Sequence, residues 1–428
     1  MTTAEQNHTL TRTGPGTPMG TLFRRYWIPA LMASELPERD GPPVRVQLLS
    51  EKLIAFRDSD GRLALIDEFC AHRRVSLWFG RVEQSGIRCP YHGWKYDASG
   101  QCVELPSEPA DSPLCQQVKL KAYPCVERGG IVWAYMGPPE HQPAPPEYEW
   151  AMVPDAHRYI SKRIQESNYL QGMEGGIDSS HVSWLHSGEL KTDKLHVGTD
   201  GARHIANQRP SFELQKTAAG LAISAKRQVG EIDAAQSYWR VTQWLMPWYT
   251  IIPPYGENAI RGHAWVPIDD ENCTTWNWAH HPARPLTADE VDAMAQEEGA
   301  FAKLIPGSFR SVANKGNDYL IDRAAQKSGR YFSGVQGIAM QDASLQESMG
   351  GIVEREREFL VATDVAIVRA RRLLLDAAAA LPAGETPPGV ATASQQVRSA
   401  SFVGPTKLSF EAFESALQVQ AGAGPTSV

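Results

Sequence analysis

An α+β protein is predicted: an all-β N-terminal domain, then an α+β domain in which helices pack on a mostly antiparallel sheet. Three observations carry that expectation. Short β-prone runs bounded by turn residues fill 46–140, the proline-rich connector "PPEHQPAPPEYEW" follows over 138–150, and helical stretches then surround strongly β-prone runs. A chain of 428 residues is also too long for one ordinary core and suits two domains plus tails.

Residues 1–45 read as a partly helical leader, because "GTLFRRYWIPALMASEL" carries apolar and aromatic residues near helical spacing. The first domain spans 46–140. Within it "KLIAFRD" and "RLALIDEF" flank "SDG", a hairpin turn, and "GGIVWAYMGPP" is a strand stopped by prolines. The second domain spans 141–385, with helices near 165–187 and 287–304 around "QSYWRVTQWLMPWYTIIPP" and "GHAWVPI". Its last helix is "DVAIVRARRLLLDAAAAL", 364–381, whose apolar residues recur every three or four positions, with Thr363 or Asp364 as the cap. After Pro382 the composition turns to Pro, Gly, Ala, Ser and Thr, so 386–428 is expected to be a loosely held tail.

Composition excludes several classes. With 42% hydrophobic and 21% charged residues the chain is able to bury sizeable cores in water. "LLLDAAAAL" is short and broken by Asp376, and "MTTAEQNHTLTRTG" lacks the basic and apolar regions of a secretion signal. No membrane span is expected, and the cytoplasm is the expected location. A net charge of -7, with basic residues scattered among acids, argues against nucleic acid as a partner. Six cysteines are too few for a disulfide scaffold, so each raises a question of metal ligation.

Two of them stand in metal-ligand spacing. "FCAHRR" supplies Cys70 and His72, and "RCPYHGWKYD" supplies Cys89 and His92: C-x-H, sixteen residues, then C-x-x-H. One reading is a structural zinc in a Cys2His2 tetrahedron. The other is a two-iron cluster with two thiolates on one iron and two neutral imidazoles on the other, each loop giving one ligand to each iron. Gly80, Gly86 and Gly93 favour the second reading by letting backbone amides approach bridging sulfides, and a zinc finger would carry both histidines on a following helix. Cys102, Cys115, Cys125 and Cys273 lack partners at ligand spacing and read as buried structural thiols.

"CAHRR", "CPYHGWKYD" and "GQCVELPSEP" resemble the Rieske domain of the aromatic-ring-hydroxylating oxygenases, among the Rieske non-haem iron oxygenases. The resemblance implies a [2Fe–2S] cluster with Cys70 and Cys89 on one iron and His72 and His92 on the other. A second motif, "NYLQGMEGGIDSSHVSWLHSG", holds Glu174, Asp178, His181 and His186 as E-x3-D-x2-H-x4-H. Asp178 and His181 share a helix face, whereas His181 and His186 diverge by about 140° unless the helix bends or ends between them. That spacing resembles the family's mononuclear Fe(II) site, with His181 and His186 as ligands. A facial triad still needs a carboxylate. By resemblance it is Asp342 in "MQDASLQESMGGIVERERE", with Glu347 as the second candidate and Glu354, Glu356 and Glu358 as a charged helix face.

The resemblance implies more. Asp178 would link His181 to the partner subunit's His92, providing an electron path in a head-to-tail homo-oligomer, expected to be a trimer. No dinucleotide fingerprint and no plant-type ferredoxin spacing occurs in the chain, so NAD(P)H, flavin and any further iron-sulfur cluster belong to a separate reductase. "LTRTGPGTPMGTLFRRYW" and "GGIDSSHVSWLHSG" are most similar to the phthalate 4,5-dioxygenase branch, implying O2-dependent hydroxylation of a small carboxylated aromatic. O-demethylation of a methoxylated aromatic acid and diaryl-ether cleavage use the same scaffold. An anionic ring needs a buried cation, and Arg227 and Arg240 are the substrate-binding candidates. Trp184 and the tryptophans of 239–248 serve either as cavity walls or as core. Two other classes stand against the oxygenase: a Rieske electron carrier would hold the cluster alone, and a zinc-stabilised binding module would be colourless.

Overall fold

The computed structural model describes residues 2–109, 112–189, 207–229, 235–256, 258–296 and 301–419. The chain divides into a smaller unit, Thr13–Pro146, and a larger one that joins Met1–Arg12 to Glu147–Val428. The first helix, α1 (Ala4–Thr11), belongs to the larger unit. Thr3 and Gln6 close a capping box at its start, and Tyr169 donates its hydroxyl hydrogen to the Leu10 carbonyl, 2.8 Å away.

Of the leader expected over 1–45, α2 (Pro18–Phe23) is helical, and the next apolar residues are a strand, β1 (Trp27–Met32). A continuous apolar run cannot be assigned by periodicity, and Pro29 inside it disfavours a helix. The rest of the smaller unit is short strands: β2 (Val44–Leu48), β3 (Glu51–Arg57), β4 (Leu63–Asp67), β5 (Arg81–Glu83), β6 (Gly86–Arg88), β7 (Lys95–Asp97), β8 (Cys102–Glu104), β9 (Cys125–Arg128) and β10 (Ile131–Tyr135). They form three antiparallel sheets, β1-β10-β9, β2-β3-β4 and β5-β6-β7-β8. The β3–β4 connection is the predicted hairpin, its turn held by the Asp58 carboxylate on the Asp60 and Arg62 amides. Ile54, Phe56, Ile66, Leu77, Ile87 and Tyr96 pack around Cys70 and Cys89 in one core.

The larger unit is built on an eight-stranded antiparallel sheet. Its strands are β11 (Arg158–Gln165), β12 (Ser211–Lys216), β13 (Gly220–Gln228), β14 (Gln236–Leu245), β15 (Tyr249–Ile252), β16 (Ile260–Pro267), β17 (Cys273–His280) and β18 (Ala400–Pro405). The order is β11-β17-β16-β15-β14-β13-β12, with β18 paired to the other part of β14. Helix α3 (Tyr169–Ile177) lies against β16, where a Cβ on Gly172 or Gly176 would stand 2.2 or 2.5 Å from the Trp265 ring. That close approach is why "GMEGG" suits this helix in spite of glycine's low helix propensity.

Helix α4 (Ala288–Ala295) begins in a Thr287–Glu290 capping box. The helix expected to run to 304 is not followed that far: 297–300 lie outside the described residues, and Leu304 is already bridged to Ser311. The two longest helices after α4 are α5 (Ile338–Ser348) and α6 (Val365–Ala380). Asp364 precedes α6 without a side-chain cap bond, its carboxylate accepting from the Val361 amide instead.

The tail expected over 386–428 is corrected as far as 419. Strand β18 pairs with β14 over Gln236–Val241, and Phe402, Phe413 and Leu417 pack on Trp239. A few buried aromatics in a composition rich in small residues suffice when a strand edge is available to receive them. Residues 420–428 lie outside the described part. Among the described residues no helix is long and apolar enough to cross a membrane.

Candidate active site

The two C-x(x)-H loops close in the same way. The Cys70 carbonyl accepts from Arg74 N–H at 2.9 Å, and the Cys89 carbonyl accepts from Gly93 N–H at 3.0 Å. In both, the fifth residue is left-handed, Arg74 at φ 59° and Gly93 at φ 73°. Gly93 thus belongs to the loop, whereas Gly80 and Gly86 do not serve it as expected: a Cβ there would strike backbone oxygens of Leu77 and Tyr96, so both are packing positions near the strands.

This geometry sinks the sulfurs and leaves the imidazoles outside. Cys70 and Cys89 are buried, His92 is half-buried and His72 is exposed. The two imidazoles meet edge to face with centroids 4.4 Å apart, and His72 stacks on Trp94 at 4.7 Å. Tyr96 accepts from the Ala71 amide at 3.1 Å, which leaves its own hydrogen for Cys70 Sγ at 3.2 Å. Burial raises the Cys89 thiol pKa, and the Tyr91 and His92 amides aimed at its sulfur oppose that rise. Such amides and a tyrosine hydroxyl are suited to stabilising thiolates. Paired sulfurs within and paired imidazoles at the rim fit a [2Fe–2S] cluster. One ion needs tighter closure: among the described residues, His181, His186 and Asp342 are the group whose ligand atoms all lie within 4.8 Å, and the four loop residues are not. All six cysteines are free, and burial lifts Cys102 and Cys125 to about 12.

In the larger unit, α3 ends at Ile177 and Asp178 is extended, its carboxylate accepting from Ser180 N–H at 2.7 Å. A 3-10 turn over His181–Ser183 then brings both histidines to one point, with ring centroids 5.0 Å apart. This is the helix end that the five-residue spacing required. Asp342, on α5, stands 3.5 Å from His181 Nε2 and 3.3 Å from His186 Nε2.

The far nitrogens are also held. His181 Nδ1 faces Asp178 at 3.3 Å, and His186 Nδ1 faces Gln341 Oε1 at 2.7 Å. Gln341 Nε2 donates to the Val335 carbonyl, which orients the amide and makes His186 Nδ1 the donor. Both Nε2 atoms are therefore directed at Asp342. Burial alone would raise the Asp342 carboxyl, but His186 and His181 hold it at about 2. Burial opposes charge on His181, yet Asp178 and Asp342 lift it to about 9. Two imidazoles and a carboxylate whose ligand atoms lie within 4.8 Å of one another are a donor set for a cation. Glu347, five residues along α5, faces elsewhere and accepts from Glu166 N–H and Tyr319 O–H. Glu174 is buried between Arg355 and Arg371 as an ion-pair centre.

The triad opens into a cavity. Strands β11 and β14–β17 supply the opposite wall, with Arg163, Arg240, His263, Trp265, Thr275 and Asn277. Arg240 is buried beneath Tyr255, 4.7 Å from the ring, and forms no ion pair among the described residues. The expectation for Arg227 is corrected. It sits on β13, one strand beyond this wall, and binds the Ser179 carbonyl at 2.6 Å and the Asn207 carbonyl at 3.2 Å. It therefore braces the turn between Asp178 and His181. Trp184 is half-exposed against Phe332, and Trp239, Trp244 and Trp248 are core. Gln341, Arg163 and His263 escaped the sequence reading. Arg163 and His263 are brought to one cavity by the order of β11 and β16 in the sheet, which local residue pattern does not give.

Comparison with known proteins decides the family. A Rieske [2Fe-2S] domain matches residues 26–124, and a LigXa C-terminal domain-like model matches 134–417. The chain belongs to the Rieske non-haem iron oxygenases. This Rieske oxygenase is 38% identical to the 3-chlorobenzoate-3,4-dioxygenase oxygenase subunit of Comamonas testosteroni, over 96% of this chain and 97% of that one. It is 39% identical to the phthalate 4,5-dioxygenase oxygenase subunit of Pseudomonas putida, over 94% and 92%. The solved structure of dicamba monooxygenase bound to dicamba shares the fold, with a TM-score of 0.59 at 20% identity over 85% of this chain and 99% of that one. The Rieske oxygenase is thus an oxygenase subunit whose cofactors are a [2Fe–2S] cluster and a mononuclear iron.

Proposed function

We propose that this Rieske oxygenase hydroxylates a carboxylated aromatic compound in the manner of a phthalate 4,5-dioxygenase, and that the larger unit is its catalytic domain. The observation that carries the reading is a His2Asp triad sharing one cavity with the buried Arg240, which forms no ion pair among the described residues. Cys70, Cys89, His72 and His92 hold the cluster, and His181, His186 and Asp342 hold the mononuclear iron. When bound, that iron activates dioxygen with electrons passed on from the cluster.

The residues do the rest. Gln341 and Asp178 fix the two imidazoles with Nε2 towards the metal. Arg240 donates to the substrate carboxylate, and Trp265 and Ile252 provide apolar walls that exclude water. Asp178 retains part of its surface, 22% for the side chain, and on this reading it meets the partner subunit's His92 in a cytoplasmic homotrimer served by an NAD(P)H-dependent flavin and iron-sulfur reductase.

Oxygen uptake with a flavin reductase, over phthalates, chlorobenzoates and methoxylated benzoates with formaldehyde assayed alongside, tests the reading. Uptake with an acid and no formaldehyde supports ring hydroxylation; formaldehyde matching the oxygen consumed makes the enzyme an O-demethylase. Asp178→Asn is expected to retain both metal centres and lose substrate-coupled oxidation. Normal turnover by that variant sinks the relay.

A further inference from the structure

Arg163 is the most unusual cation in the cavity. It projects from β11 opposite Thr275 of β17 and is 4% exposed. Of the five N–H donors of a guanidinium, one on Nη2 reaches Gln165 Oε1 at 3.0 Å, while Nε and Nη1 are buried with no partner. No ion pair holds it among the described residues. Glu347 is the strongest of the negative groups acting on it, yet both oxygens of that carboxylate are engaged by Glu166 N–H and Tyr319 O–H.

Its position is rigid. Gln165 also accepts from Thr275 Oγ1 and donates to Ser167 Oγ and Gln346 Oε1, so Arg163 is tied through it to β17 and to α5. Burying a guanidinium without a counter-charge is unfavourable, and burial lowers its pKa here. Such a group is retained where a ligand completes it.

We propose that Arg163 anchors a carboxylate of the substrate, as a second cation separate from Arg240. The two arise from β11 and β14, with β15, β16 and β17 between them in the sheet. Arg261 of β16 also lines the cavity, so what distinguishes Arg163 is its two buried nitrogens with no partner. The anchoring role rests on the aromatic-acid reading above.

The test is binding of phthalate and of neutral phthalamide to the holoenzyme, by calorimetry, for the wild type, Arg163→Met, Arg163→Lys and Arg240→Met. Arg163→Met is expected to weaken phthalate about tenfold or more and leave phthalamide within about twofold, with Arg163→Lys recovering part of the loss. Unchanged phthalate binding by Arg163→Met overturns the proposal. So does an equal loss of both ligands, since the guanidinium is then structural. If the wild type prefers phthalamide and consumes oxygen only with neutral rings, the aromatic-acid reading fails and takes Arg163 with it; a loss confined to Arg240→Met leaves that reading standing and removes Arg163 alone.

Discussion

Both histidines of the triad have each ring nitrogen assigned to a partner. His181 is set by a carboxylate and His186 by a neutral amide, so the two rings differ in basicity although they serve one ion. Gln341 is the less obvious of these partners, because its own Nε2 is committed to Val335 and it cannot turn over to accommodate a protonated Nε2 on His186. Replacing it by leucine removes the Nδ1 acceptor while keeping the volume. Gln341→Leu is expected to lower retained mononuclear iron about tenfold or more on dialysis against a chelator, with the Rieske EPR signal unchanged. Retention at the wild-type level would show that ring orientation is set by packing alone. Arg227 acts one residue further out, holding the Ser179 carbonyl and so the turn that presents His181.

Helix α3 and the segment after it illustrate how an element is terminated for chemistry. The helix is pressed onto Trp265 by two glycines, tied to α6 through Glu174 and Arg371, and stopped at Ile177, so that the next nine residues are free to turn both histidines inward. Strand β18 is the opposite case, an element that local sequence hides. Its backbone completes β14 along Gln236–Val241, and Phe402 stacks on Trp239 with centroids 5.9 Å apart. Phe402→Ala is therefore expected to cost about 3–5 kcal/mol and lower the melting temperature of the larger unit. A variant that melts as the wild type does would restore the view of this segment as a loose tail.

At the level of the whole molecule, the C-terminal segment is clasped to the sheet by Glu149, which accepts from His280 Nε2 at 3.3 Å and from Arg398 Nε at 2.8 Å. Burial alone would raise this carboxyl, but those two partners outweigh it and hold it at about 2 against an ordinary 4.5. A depressed carboxyl stabilises the fold above the unfolded value and loses that contribution as pH falls from 4.5 towards 2. The advantage of the wild type over Glu149→Gln is expected to be on the order of 3 kcal/mol at neutral pH and to close over that acid window in denaturant titrations. A gap independent of pH would mean that the clasp acts through packing. As for legibility, the two C-x(x)-H loops, the D-x2-H-x4-H run and the β3–β4 hairpin could be read from residue order, because covalent spacing alone brings their groups within a few ångströms. Asp342 was reached by resemblance, and Gln341, 155 residues from His186, was not reached at all. Arg227 and Arg163 show the same limit: both are arginines in β-prone runs, and which one enters the cavity depends on strand order. Sheet register and burial are set by contacts between segments far apart in the chain, so they determine which polar side chains lose water and which of those find a partner, and no local pattern of residue types carries that information.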